Sequence, residues 1–264
     1  MELPAACAAR GLTGFRMGDC VYGALAKMLP DRVGAASDGG NTGVTVGGYD
    51  EQRKPFIFVD FACGSWGGRP WADGVQGNSN MFANMASQSI ELIEAENPLQ
   101  VLAYELITDR AGVGEFRGGV PYRRDYLFTE KEAVLQVRSD RRRFRPYGLY
   151  GGQAGQPSQN ILNPHAEAQM LDSKLTMPLK EGDVFRHELP GGGGWGDPMK
   201  RDPDKVLMDV RNEFVSIESA RDDYGVVIDC SAWQVDEDAT QTLRNARHDE
   251  SRNVTASSVV QEEA

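Results

Sequence analysis

The residues of this sequence that could do chemistry fall into four groups. The first is Asp60, inside the apolar run Phe56-Ile57-Phe58-Val59-Asp60-Phe61. A carboxylate there needs a cation, a set of hydrogen bonds or a proton, so it is either a catalytic candidate or an anchor for an arginine or a loop backbone. The second is His187, in Phe185-Arg186-His187-Glu188-Leu189, where alternation puts Phe185, His187 and Leu189 on one face. A histidine so placed is either a general base or a hydrogen-bonded core residue. The third is Arg138-Ser139-Asp140-Arg141-Arg142-Arg143-Phe144-Arg145, five arginines in eight residues. Guanidinium groups grip carboxylate or phosphate through paired N–H donors, which makes Arg138, Asp140 and Arg141 candidates for substrate or anion binding. The competing reading is a set of ion pairs with the chain's own carboxylates. The fourth is Gly191-Gly192-Gly193-Gly194-Trp195-Gly196-Asp197-Pro198. Glycine permits close backbone approach, so this stretch is either a tight corner or a loop against a ligand, with Gly192, Gly193 and Asp197 facing it.

Several chemistries are unsupported by the spacing. The sequence has no GxSxG elbow, no GxxxxGK[ST] phosphate loop, no CxxC pair and no HxxxH pair. No metal ligand is therefore assigned, and ATP, if used, is expected on another chain. A formal net charge of −11 repels phosphate backbones and argues against nucleic-acid binding. No run is long and apolar enough to cross a bilayer as a helix. Met1-Glu2-Leu3-Pro4 lacks the basic and apolar regions of a secretory leader. Cys7, Cys20, Cys63 and Cys230 stand alone in sequence, so the expectation is a cytoplasmic protein with reduced thiols and no membrane partner.

The elements that must position these residues read as a mixed α/β, strand-rich domain with long glycine-rich loops and short C-terminal helices. Asp19 is placed to cap a helix carrying Val21, Leu25 and Met28, stopped by Pro30. Strands are predicted at 44–46, 55–62, 101–107, 120–128 and 133–137. Continuous apolarity predicts that 55–62 is covered on both faces. A glycine-rich segment occupies 64–80, the stretch 81–96 is open to a helical reading, and 112–119 reads as a turn. Asp202-Pro203 starts one helix, and Ser216 caps a second that ends at Gly225. From Asp229 to Ala264 apolar content collapses among acidic residues, and this tail is expected to lack structure.

Taken together, the segments resemble the C-terminal half of the hydantoinase B/oxoprolinase family. The stretches that carry the resemblance include Ala9-Arg10-Gly11-Leu12-Thr13-Gly14-Phe15-Arg16, Gly39-Gly40-Asn41-Thr42 and Gly64-Ser65-Trp66-Gly67-Gly68-Arg69-Pro70. Glu94-Ala95-Glu96-Asn97-Pro98-Leu99, Gly112 to Gly119, Arg138-Ser139-Asp140-Arg141, Pro146-Tyr147-Gly148-Leu149 and Gly191 to Pro198 continue it in order, and Tyr224-Gly225-Val226-Val227 closes it. It covers residues 1 to about 228, with 229–264 outside. The resemblance implies one component of an ATP-dependent, hetero-oligomeric enzyme that opens small cyclic amides: hydantoins (N-methylhydantoin among them), 5-oxoproline or other lactams. It implies an A-type partner subunit that carries ATP and phosphorylates the substrate oxygen. It also implies an N-terminal half of the B-type subunit, with no counterpart here, whose His and Asp residues hold a divalent metal in several members. Two alternatives accompany it: a non-catalytic assembly module, or part of a subunit of the acetone and acetophenone carboxylase type.

Overall fold

A computed structural model describes residues 11–83 and 85–248. Two antiparallel sheets share one apolar core. The first sheet runs β2-β1-β5-β8, built from β1 (Thr42–Tyr49), β2 (Pro55–Ala62), β5 (Glu132–Arg138) and β8 (Lys174–Lys180). The second runs β3-β4-β9-β6-β7, built from β3 (Leu99–Leu106), β4 (Tyr122–Phe128), β6 (Gln159–Leu162), β7 (Gln169–Leu171) and β9 (Val184–Glu188). Val44, Val46, Phe58, Leu135 and Val137 from the first sheet meet Tyr126, Phe128, Phe185 and Leu162 from the second, with Ile93 of α2 (Ile90–Glu96) beside them. Period-two alternation in β1, β2 and β5 is what presents one apolar face inward.

Against this sandwich lies a region held together almost entirely by main chain. Gly191 donates to the carbonyl of Gln156, Gly192 to Gly119, Gly193 to Ala36 and Gly194 to Gln153. In return Gly112 donates to Gly192, Gly68 to Gly193 and Leu149 to Gly194. Four segments thus pack around 191–194 with no side chain between them, and all four glycines are buried. The stretch is a buried strut at the centre of the fold, more than a corner. A third unit caps it. α3 (Pro203–Arg211), α4 (Ile217–Asp222) and the hairpin of β10 (Ile228–Asp229) and β11 (Gln234–Val235) bury Val206, Val210, Ala220, Tyr224 and Val226.

Four expectations need correction. Asp19 is no cap; it lies within α1 (Gly11–Ala26), is buried, and accepts from Ser37 Oγ and Arg141. The apolar run of β2 is covered on one face only: Phe58 and Asp60 point inward while Ile57, Val59 and Phe61 are exposed. β2 is an edge strand, and the outer face of its sheet is open. Helix forms only over 90–96 of the 81–96 stretch. The tail begins ordered, with β10–β11 and a helix over 237–248 that seats Arg244 on the carbonyls of Tyr224 and Arg201; its remainder lies outside the described residues. The two helices expected after Asp202 are in place, with caps on Asp202 and Ser216 and Gly225 at φ +63°.

Candidate functional site

Segments more than a hundred residues apart converge on a charged cluster at one end of β1. α1 contributes Arg16 and Asp19, the turn before β1 contributes Ser37, Asp38, Gly39 and Asn41, the loop after 77 contributes Asn80, and the loop after β5 contributes Asp140 and Arg141. Arg16 pairs with Asp140 at 2.5 Å, and Arg141 pairs with Asp19 at 2.5 Å. The first pair is partly exposed and the second nearly buried, so the cluster has a wet mouth and a dry floor. Ser37 Oγ donates to Asp19 and accepts from the Gly39 amide and from Asn80 Nδ2.

Gly39 is required here. It sits at φ +75°, and a Cβ would come within 2.5 Å of Arg16 and 2.6 Å of Arg141. Its bare backbone is what lets two guanidinium groups close over the turn.

Asp38 is the floor. It is buried, its Oδ2 accepts from the Gly64 amide at 2.8 Å, and its Oδ1 has no partner among the described residues. Burial, aided by the neighbouring Asp19 carboxylate and opposed by the Gly64 bond and Arg16, pushes its carboxyl up to about 7. Asn41 Oδ1 is likewise buried without a partner among the described residues. The arrangement offers an acid poised to hold or release a proton near neutrality, two unfilled acceptors, and two arginines able to take an anionic group.

The described residues do not fit a divalent metal. Asp19 is bound by Arg141, one oxygen of Asp38 by the Gly64 amide, and no three Asp, Glu, His or Cys side chains converge among them.

Of the residues expected from sequence, Asp140 and Arg141 are in this cluster. Arg138 is not; it ends β5 on the exposed outer face. Asp60 and His187 lie apart from it in the sandwich interior, on either side of Arg124. Asp60 Oδ2 accepts from Arg124 at 2.6 Å and from the Tyr126 hydroxyl. His187 faces Arg124 across β4–β9 and Asn160 across β6–β9. Asn160 Nδ2 donates to Ser139 Oγ and to the Asp172 carbonyl, so its Oδ1 must accept from His187 Nδ1 at 2.7 Å. That assigns the lone pair to Nε2, which has no partner among the described residues. Burial lowers the ring to about 4, leaving it neutral at pH 7. Asp60 therefore anchors Arg124 and Tyr126, while the His187–Asn160 pair reaches Ser139, next to the charged cluster.

Gly192 and Gly193 have no free amide for an anion, because both donate to carbonyls of their own chain. The Asp197 carboxylate caps the turn at 198–200, accepting from the Met199 amide. Sequence reasoning missed Arg16, Asp38 and Arg124. Asp38 read as a turn residue because Gly-Gly follows it, and Arg124 as one member of an alternating strand. The signal for Asp38 was its adjacency to Gly39-Gly40-Asn41-Thr42.

The two buried titrations have opposite signs. Asp38 holds its proton longer folded than unfolded, so its contribution to stability is full below about pH 4 and is lost as pH rises towards 7, on the order of 4 kcal/mol at most. His187 gives up its proton more readily folded, so its contribution is present above about pH 6.5 and is lost as pH falls towards 4, on the order of 3 kcal/mol. They offset each other between pH 4 and 6.5. Asp38→Asn keeps an acceptor for the Gly64 amide and removes the first effect alone. The variant is expected to match the wild-type Tm at pH 4 and to exceed it increasingly up to pH 8. A constant difference across that range, by thermal melts followed by circular dichroism, contradicts the assignment.

The sequence profile described as Hydantoinase B/oxoprolinase matches residues 2–198. The B-type component of a putative D-/L-hydantoinase from Pseudomonas sp. (strain NS671) is 32% identical over 244 residues, covering 91% of this chain and 40% of that protein. The beta component of caprolactamase from Pseudomonas jessenii is 34% identical over 247 residues, covering 87% of this chain and 41% of that protein. The crystal structure of the ATP-dependent caprolactamase from Pseudomonas jessenii superposes with a TM-score of 0.75 at 30% identity, over 84% of this chain and 40% of that one. The nucleotide-free structure of acetone carboxylase shares the fold, with a TM-score of 0.74 at 20% identity over 88% of this chain and 36% of that one. The chain thus spans about two fifths of the length of these relatives. With three quarters of its residues under the family profile, the chain belongs to the hydantoinase B/oxoprolinase family.

Proposed function

We propose that this chain acts as the C-terminal part of the B-type subunit of an ATP-dependent cyclic amide hydrolase, opening hydantoins, 5-oxoproline or related lactams in the cytoplasm. The observation that carries the proposal is its similarity, over about nine tenths of its length, to two proteins named for cyclic amide chemistry. In this reading an A-type subunit holds ATP and phosphorylates the amide oxygen, which turns a poor electrophile into one with a good leaving group. The N-terminal portion of the B-type subunit supplies the divalent metal. The buried glycine amides of 191–194 are all engaged by carbonyls, which supports placing ATP on the partner. The charged cluster is this chain's contribution. Arg16 receives the anionic group of the activated substrate at the mouth, with the charge of Arg141 beneath it. The Asp38 carboxyl supplies or takes a proton as the ring opens.

The test is reconstitution of the chain with an A-type subunit and the remaining B-type portion, followed by assay of a panel of cyclic amides with and without ATP. ATP-dependent ring opening that requires this chain is expected. Carboxylation of a ketone in the same assembly would replace the hydrolase by a carboxylase. Ring opening that proceeds undiminished without this chain would make it an assembly module.

A further inference from the structure

We propose that the outer face of the β2-β1-β5-β8 sheet is the seat for the portion of a B-type polypeptide that lies outside this chain, docking as a convex apolar segment. The inference rests on family membership and not on the proposed hydrolysis.

The face is laid out in three rows fixed by register: Ile57–Gly47–Val134–Pro178, Val59–Thr45–Gln136–Thr176 and Phe61–Gly43–Arg138–Lys174. Ile57 is 73% exposed, Val59 45%, Phe61 47% and Val134 50%. Three of these apolar side chains line β2, an edge strand that pairs with β1 in unbroken register and carries no Lys, no bulge and no Pro beyond its first residue. Edge strands of this kind are normally guarded or covered, because they invite pairing with another chain.

The floor of the face gives independent evidence. Gly43 and Gly47 sit in the middle strand with no positive φ. A Cβ on Gly47 would make only ordinary contacts, 3.6 Å to the Phe56 carbonyl and 3.7 Å to Ile57. A Cβ on Gly43 would meet nothing closer than Phe61 at 3.9 Å. Nothing among the described residues requires glycine at either position, and glycine weakens a strand. Together they leave a trough between the β2 side chains and Val134 that continues into a cleft of about 780 Å³ past Tyr49 and Pro178. Glycine steps of this kind fit close approach by another backbone or large side chain.

The charges at the two ends give the occupant a direction. Arg138 stands directly opposite Lys174, a like-charged pair with no ion-pair partner among the described residues. At the other end Asp50, Glu51, Glu130 and Glu132 are matched by Arg53, Lys54, Lys131 and Lys180, with Lys131 paired to Glu51 and Lys180 opposite Glu132. The occupant therefore carries an acidic group over Arg138 and Lys174. A second copy fits poorly: it presents the same trough in place of a ridge, and it brings a formal charge of −11 against −11. The relatives supply the better occupant, since about three fifths of their length lies outside the match.

The experiment places a reporter in the trough. Val59→Cys is labelled with a maleimide in the isolated chain and in the assembly with the remaining B-type portion, and labelling at residue 59 is read by peptide mass spectrometry. Labelling at least tenfold slower in the assembly is expected. Gly47→Leu is expected to leave the Tm of the isolated chain unchanged and to abolish assembly on size-exclusion chromatography with light scattering. Equal labelling rates in the two samples would overturn the proposal, as would a Gly47→Leu chain that assembles like wild type. A concentration-dependent dimer of the isolated chain that protects residue 59 would assign the face to a second copy instead. None of these readouts depends on turnover.

Discussion

Replacing Gly193 with Ala is expected to abolish folding of this chain. A methyl group there would fall inside the carbonyl group of Tyr147, and the obstacle is main chain, which cannot rotate away as a side chain can. The same holds at Gly191, Gly192 and Gly194, whose added methyls would meet the carbonyls of Arg110, Trp66 and Val113. Overpacking a side-chain core costs about 1–3 kcal/mol because neighbours adjust. Here any adjustment breaks hydrogen bonds: Gly193 donates to Ala36 and accepts from Gly68, and each lost buried bond costs about 1–3 kcal/mol. The sum approaches the whole stability of a typical domain. Gly182→Ala provides the control. Its φ of +86° is strained for Ala, yet nothing lies within 4 Å of the new methyl, so a modest loss of Tm is expected. A Gly193→Ala protein that is soluble, with a native circular dichroism spectrum and a Tm within a few degrees of wild type, would refute the strut.

Arg201→Met is expected to lower stability by about 3–5 kcal/mol. Arg201 is buried and joins the glycine strut to the helical cap. Its guanidinium donates to both oxygens of Asp73, at 2.6 and 2.9 Å, to Asp209 on α3 at 2.7 Å and to the Glu115 carbonyl at 2.9 Å. Arg117 completes the group, its side chain on Asp209 and its amide on Asp73. Removing Arg201 leaves two carboxylates facing one arginine in a dry place. Burial alone would raise the Asp73 carboxyl, but Arg201 and Arg117 outweigh it and hold the group below its usual range. Asp73 therefore stabilises the fold at neutral pH, and that contribution is lost as pH falls below the usual carboxylate range. The gap between wild type and variant should be wider at pH 7 than at pH 3. Urea unfolding at both values measures it. A gap under about 1 kcal/mol at pH 7 would show that the ion-pair group contributes little beyond packing.

The legible parts of the fold were those that periodicity or capping dictates. β1, β2, β4 and β5 announced themselves by alternation or apolarity, and α3 and α4 by Asp202, Pro203 and Ser216. β6, β7 and β8 did not, because short strands such as Gln169–Leu171 and the Pro178-containing Lys174–Lys180 have weak patterns of their own and are fixed by their neighbours. β2 misled for a physical reason. Eight residues cannot distinguish a strand buried by its own chain from one whose second face awaits a different surface. The charged cluster was half legible. Arg141 stood out by composition, whereas Asp38 acquires its character only when Gly64 and Asp19 are brought to it from elsewhere in the chain. Asp60 and His187 stood out as polar residues in apolar strands, and their partners Arg124 and Asn160 come from other strands that sequence spacing does not reveal.

The backbone strut also sets the order in which this protein can form as it leaves the ribosome. The segments around 36, 68, 112–119 and 147–156 all direct main-chain donors or acceptors at residues 191–194. Until that stretch emerges those groups have only water or one another, so these segments are made before their central hydrogen-bonding partner exists. Contacts this distant in sequence are slow to form. The segments that precede the strut therefore depend on a chaperone-like environment, or on early collapse of the sandwich, to stay soluble until synthesis passes Gly194.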